Sequence, residues 1–75
     1  MITLKEIEEL LNSGERLYFT SYEEGEDEND VARNSGVDKD RIEYLGQFEG
    51  EEESYIINDI EIDDGDFVYL IGGGK

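Results

Sequence analysis

Carboxylates are the one chemically active group present in quantity. Aspartate and glutamate number 22 in 75 residues, against six lysines and arginines, for a formal net charge of −16. Most fall in three runs. Residues 23–30 hold Glu23, Glu24, Glu26, Asp27, Glu28 and Asp30. Residues 49–53 hold Glu49, Glu51, Glu52 and Glu53, and residues 59–66 hold Asp59, Glu61, Asp63, Asp64 and Asp66. These 21 positions carry 15 acids and no base, while the other 54 carry seven acids and six bases. An almost neutral domain thus bears three acidic inserts. Carboxylates at such density can hold a hard cation, act in pairs as acid and base, or attract a basic partner.

The first two uses are poorly served. Asp59-x-Glu61-x-Asp63-Asp64-Gly65-Asp66 resembles a calcium loop, but an EF-hand needs glycine at position six and glutamate at position twelve. Counted from Asp59, those positions hold Asp64 and Leu70. A charged turn is the better reading, and no metal is expected. A catalytic carboxylic acid needs burial to raise its pKa, which runs of exposed acids do not provide. With no histidine and no cysteine, zinc sites built on those ligands, thiol nucleophiles, disulfides and Ser-His pairs are also excluded. No enzyme activity and no cofactor are expected.

The charge excludes further classes. Duplex DNA and anionic membranes require a positive surface, and this chain repels phosphate. No apolar run approaches the ~20 residues of a membrane span. Lys5 and Glu6 near the N-terminus do not suit a signal peptide, so a cytoplasmic protein is expected.

The acids must be carried by a small fold. Residues 3–13 predict a helix: Thr3 and Glu6 suit a capping box, Ile2 and Ile7 a hydrophobic staple, and Gly14 the C-terminal stop. Leu4, Ile7, Leu10 and Leu11 form its apolar stripe. Residues 16–22 predict a strand, with Leu17 and Phe19 on one face and Tyr18, Thr20 and Tyr22 on the other. The first acidic run reads as a loop turning into a short helix at 30–34. Residues 41–48 fit a strand better than a helix, with Ile42, Tyr44 and Phe48 sharing a face. Residues 54–62 alternate towards their end, 63–66 predict an Asp-Gly turn, and 67–71 a last strand. The expected architecture is α+β: an N-terminal helix packed on an antiparallel sheet of about four strands. Residues 1–71 form one domain, and 72–75 a flexible glycine-rich tail. Of the five tyrosines, Tyr22 and Tyr55 adjoin acidic runs and are the interface candidates; at least three tyrosines are expected at the core edge.

Residues 30–46, with Asp30-Val31-Ala32 leading to Gly36-Val37 and closing on Ile42 and Leu45, resemble the helix-turn-helix of LacI-type repressors. That resemblance implies a second, reading helix. Here it would carry Asp38, Asp40 and Glu43 against Lys39 and Arg41, with no net positive charge to hold a duplex.

The acidic runs exceed what solubility asks, since a net charge of about 2–8 suffices for a small domain. Fifteen carboxylates spaced like the phosphates of B-DNA, at ~1.7 Å of axis per charge, would span roughly 25 Å, about seven or eight base pairs. In size, charge, clustered acids and lack of Cys and His, the chain resembles the small phage-encoded DNA mimics: anti-CRISPR proteins, anti-restriction proteins and uracil-DNA glycosylase inhibitors. Glu53-Ser54-Tyr55-Ile56 is similar to the Glu-Ser-Ile edge of the last group. The resemblance implies a protein inhibitor that occupies the basic DNA groove of a host nuclease or CRISPR effector complex. All 15 clustered acids, helped by Tyr22 and Tyr55, would form the partner surface of a monomer or small homo-oligomer. An immunity or antitoxin protein against a basic nuclease is the alternative, and a helix-turn-helix regulator the third reading.

Overall fold

A computed structural model describes residues 1–72, apart from the side chain of Tyr22. Nine elements follow in order: α1 (Leu4–Asn12), β1 (Arg16–Thr20), a 3-10 turn (Tyr22–Glu24), α2 (Glu28–Ser35), a 3-10 turn (Lys39–Arg41), β2 (Ile42–Gln47), β3 (Ser54–Ile57), β4 (Ile60–Asp63) and β5 (Phe67–Ile71). The fold is α+β. Its antiparallel sheet has three strands in the order β1-β5-β2, and β3 and β4 form a separate hairpin.

The start of α1 follows the sequence. The Thr3 side chain accepts from the Glu6 N–H, and Ile2 and Ile7 are both buried in one core. The helix ends at Ser13, followed by Gly14 at φ +86°. A second helix, α2, is longer than the 30–34 expectation because Asp27 and Asp30 close a reciprocal capping box at its start. Two acids of the first run are thereby spent on satisfying helix N–H groups.

The final strand is an unbroken apolar run because it lies in the middle of the sheet and is covered on both faces. Val68 faces the core formed with Ile2, Ile7, Phe48 and Ile62, under α1 and the hairpin. Tyr69 faces a second core with Val31 of α2 and Ile42. Leu17 and Phe19 of β1 pack on the first core and Tyr18 on the second, in line with their alternation.

Two sequence expectations are corrected. Ile42, Tyr44 and Phe48 do not share a face. The pairing shifts between Tyr44, opposite Tyr69, and Gly46, opposite Val68. Leu45 is the extra residue of a β-bulge, so everything after it changes side. Ile42 packs towards α2 and Phe48 towards α1. Residues 54–62 are not one strand either. Asn58 and Asp59 both take positive φ, 51° and 66°, and close a two-residue hairpin, the geometry that Asn and Asp tolerate best after glycine. Tyr55 lies opposite Ile62 and Ile57 opposite Ile60, while Ile56 is 76 % exposed.

The N-terminal segment closes the lower end of β2: the Ile2 N–H donates to Gln47 O, and the Glu49 N–H to Ile2 O. At the other end Gly72 is tied by its N–H to Arg41 O at 2.6 Å. Residues 73–75 of the expected tail lie outside the described residues. No helix among the described residues is long and apolar enough to cross a membrane.

Candidate functional site

Parts of the three acidic runs meet in space. The Asp64 carboxylate accepts from the Gly50 N–H at 2.9 Å, and the Asp64 N–H donates to Glu53 O at 2.9 Å. These two bonds clip the second run onto the third. Glu23 of the first run shares a surface cleft with Asp63, Asp64 and Asp66 of the third. The result is a band from Glu23 through Asp63–Asp66 to Glu49–Glu53. Inside it, Asp66 accepts from the Asp63 N–H at 2.9 Å. Burial pushes the Asp66 carboxyl above the usual range, the Asp63 N–H pulls it down, and the charges of Asp63 and Glu61 push it up again. Glu61 stands on β4, opposite Ile56, and Asp59 sits at the far hairpin turn.

Of the 15 clustered acids only Glu26, Asp30 and Asp66 are partly buried; the rest are exposed. The one ion pair among the described residues joins Arg33 to Asp30 at 3.3 Å. No ion pair among the described residues joins the band to a base, and Lys5 is the one side-chain cation that shares a cleft with it, beside Glu49, Glu51 and Glu52. No group of three or more Asp or Glu side chains among the described residues is arranged to hold a metal ion.

Glu26, Asp27 and Glu28 of the first run lie at or just before the start of α2. Glu26 is a structural acid. Its carboxylate accepts from Asn34 Nδ2 at 2.7 Å, Tyr18 Oη at 3.0 Å and Thr20 Oγ1 at 3.2 Å, tying β1 to α2. Thr20 is almost wholly buried, and this bond satisfies it. Burial raises the Glu26 pKa, but hydrogen bonding with Glu24, Asn34, Tyr18 and Thr20 outweighs it and holds the carboxyl below the usual glutamate range.

Beside Glu26 lies a groove of about 390 Å³, walled by Glu26, Asp27 and Glu28 and by Tyr44, Phe67 and Tyr69, with Lys39 at its edge. Tyr44 is 46 % exposed and stands 5.2 Å from Tyr69 and 6.2 Å from Phe67, ring centre to ring centre. Burial pushes the Tyr69 phenol up, and nearby Tyr44, Glu28, Asp27 and Glu26 add to it.

Sequence reasoning did not find this groove. Its aromatic side comes from β2 and β5, and its acidic side from the start of α2. The one readable signal was Asp27 three residues before Asp30, a capping pattern that places a helix start there. The interface candidates fare differently. Tyr55 is drawn into packing: its ring meets Phe48 edge-on at 5.6 Å, and its hydroxyl accepts from the Glu52 N–H at 2.8 Å. Tyr22 opens the first 3-10 turn, and its side chain lies outside the described residues.

Residues 30–46 do not form a helix-turn-helix. The first half is α2, but Ile42–Gln47 is strand β2, paired with β5. Ile42 and Tyr44 alternate on one sheet face, which a helix would not allow. Comparison with protein families, curated proteins and solved structures finds no match.

Proposed function

We propose that this chain is a stoichiometric protein inhibitor that imitates DNA and occupies the basic DNA-binding groove of a host defence nuclease complex, of the anti-CRISPR kind. The observation that carries the reading is the acidic band assembled from parts of three separate runs, with no ion pair to it among the described residues. Carboxylates on it stand where phosphates would, against lysine and arginine of the target. The eight acids of the band, Glu23, Glu49, Glu51, Glu52, Glu53, Asp63, Asp64 and Asp66, would match roughly 14 Å of duplex at ~1.7 Å per charge, within the Cα dimensions of 32 × 29 × 21 Å. Inhibition on this reading needs no chemistry. It works by competition, with fast electrostatically steered association and a strong dependence on salt.

The test measures DNA binding by a panel of purified CRISPR effector complexes, restriction nucleases and nuclease toxins. At least one defence complex should lose DNA binding at stoichiometric inhibitor, and less so as salt rises. A variant with Glu23, Glu51, Glu53 and Glu61 changed to lysine alters exposed acids whose side chains hold no hydrogen bond among the described residues. It should keep the circular dichroism of the wild type and inhibit at least 100-fold more weakly. Full inhibition by the folded variant, or none of the panel responding to wild type, sinks the proposal. A toxin as the one target neutralised would assign the immunity-protein reading instead.

A further inference from the structure

The groove beside α2 has a different character from the proposed phosphate-like band. It is a concave site in which carboxylates face aromatic rings. Its walls carry three carboxylates against the single ammonium of Lys39, leaving two negative charges. Glu26 is saturated by its three donors, and Asp27 is engaged by the Asp30 N–H. The Glu28 side chain makes no hydrogen bond among the described residues, and Glu28 stands at the first position of α2. Lining the same groove, Tyr44 is half exposed on an edge strand and packs against Tyr69 and Phe67.

A free carboxylate in one groove with a packed, half-exposed ring selects for a cation with a flat face. Guanidinium is planar, weakly hydrated and stacks on aromatic rings while donating two parallel hydrogen bonds to a carboxylate. Ammonium is a compact, strongly hydrated charge that gains less from a ring. We infer that this groove receives an arginine side chain of the basic partner, its guanidinium laid on Tyr44 and paired with Glu28. The inference rests on the inhibitor reading. It adds a directional, arginine-selective anchor to a surface otherwise governed by net charge, and such anchored arginines are common hot spots of protein interfaces.

The experiment titrates the isotopically labelled protein, at fixed ionic strength, with two peptides of equal length and charge. One alternates arginine with glycine and the other lysine with glycine. The arginine peptide should shift the ring signals of Tyr44, Phe67 and Tyr69 and bind several-fold more tightly than the lysine peptide. Tyr44→Leu should remove that preference, Tyr44→Phe should retain it, and Glu28→Gln should weaken the arginine peptide by about five- to tenfold. Equal affinity for both peptides, or shifts confined to Glu23, Glu49–Glu53 and Asp63–Asp66, overturns the inference. Neither of those results touches the inhibitor reading, which is decided by DNA competition and by charge reversal at Glu23, Glu51, Glu53 and Glu61. Absence of binding by both peptides overturns the groove alone if DNA competition persists.

Discussion

At the residue scale, one acid of the 22 behaves unlike the rest. Glu26 is the acceptor that joins Tyr18, Thr20 and Asn34, and so couples the first strand to the second helix. A carboxyl whose folded pKa lies below its unfolded value adds stability that is present above the unfolded pKa. That stability is lost as pH falls through the folded one. Glu26→Gln exchanges a charged acceptor for an amide that must also present donors to its neighbours. The expected cost at pH 7 is about 1–3 kcal/mol, the scale of hydrogen bonds to a charged group. The gap between variant and wild type should close as pH drops below the usual glutamate range, because wild-type Glu26 then becomes neutral too. Urea unfolding from pH 7 to pH 3 measures it. A gap that stays constant with pH would show that the network does not depend on the charge.

At the element scale, the decisive feature is the bulge in β2. Leu45 and Gly46 both turn to the first core, so a single strand serves two cores. Gly46 makes this possible. Its φ is +124°, and a Cβ there would lie 3.0 Å from the backbone nitrogen of Met1. Side chains avoid that backbone region. The neighbouring Ile2 is pinned on either side by Gln47 and Glu49, which limits how far Met1 can retreat. Gly46→Ala should cost about 1–3 kcal/mol, the range for a residue forced into a sparsely populated conformation. The denaturant midpoint reads this directly, and a midpoint equal to wild type would mean that the N-terminal segment is free to move aside.

At the scale of the whole molecule, repulsion opposes folding. A net charge of −16 on 75 residues works against compaction, and the small two-sided core has little stability to spare. Fully buried side chains such as Ile7, Phe48 and Ile62 each contribute about 1.5–3 kcal/mol. Screening should therefore stabilise the fold even as it weakens partner binding. The thermal midpoint is expected to rise by several degrees between 10 mM and 500 mM sodium chloride. A midpoint unchanged or lowered by salt would show that the acids are already compensated. Opposite responses to salt, stability rising and inhibition falling, would separate the two roles of one charge distribution.

What was legible in the sequence was local. The cap at Thr3, the stop at Gly14, the α+β class and the β5 strand all follow from spacing within a few residues. So do the acidic runs themselves, since charge is a property of composition. The tertiary structure decided three things that spacing cannot carry. It flipped Phe48 to the opposite face from Ile42 through a bulge, because period-two alternation is reset by one added residue. It cut 54–62 into a hairpin through the positive φ of Asn58 and Asp59. It also joined the second and third runs by hydrogen bonds such as that from the Asp64 N–H to Glu53 O, and brought Glu23 into one cleft with Asp64, while setting Glu26–Glu28 beside Tyr44. The amount of charge belongs to the sequence. Its division into an open acidic band and an aromatic groove comes from long-range contacts, because only the folded chain brings distant residues onto one surface.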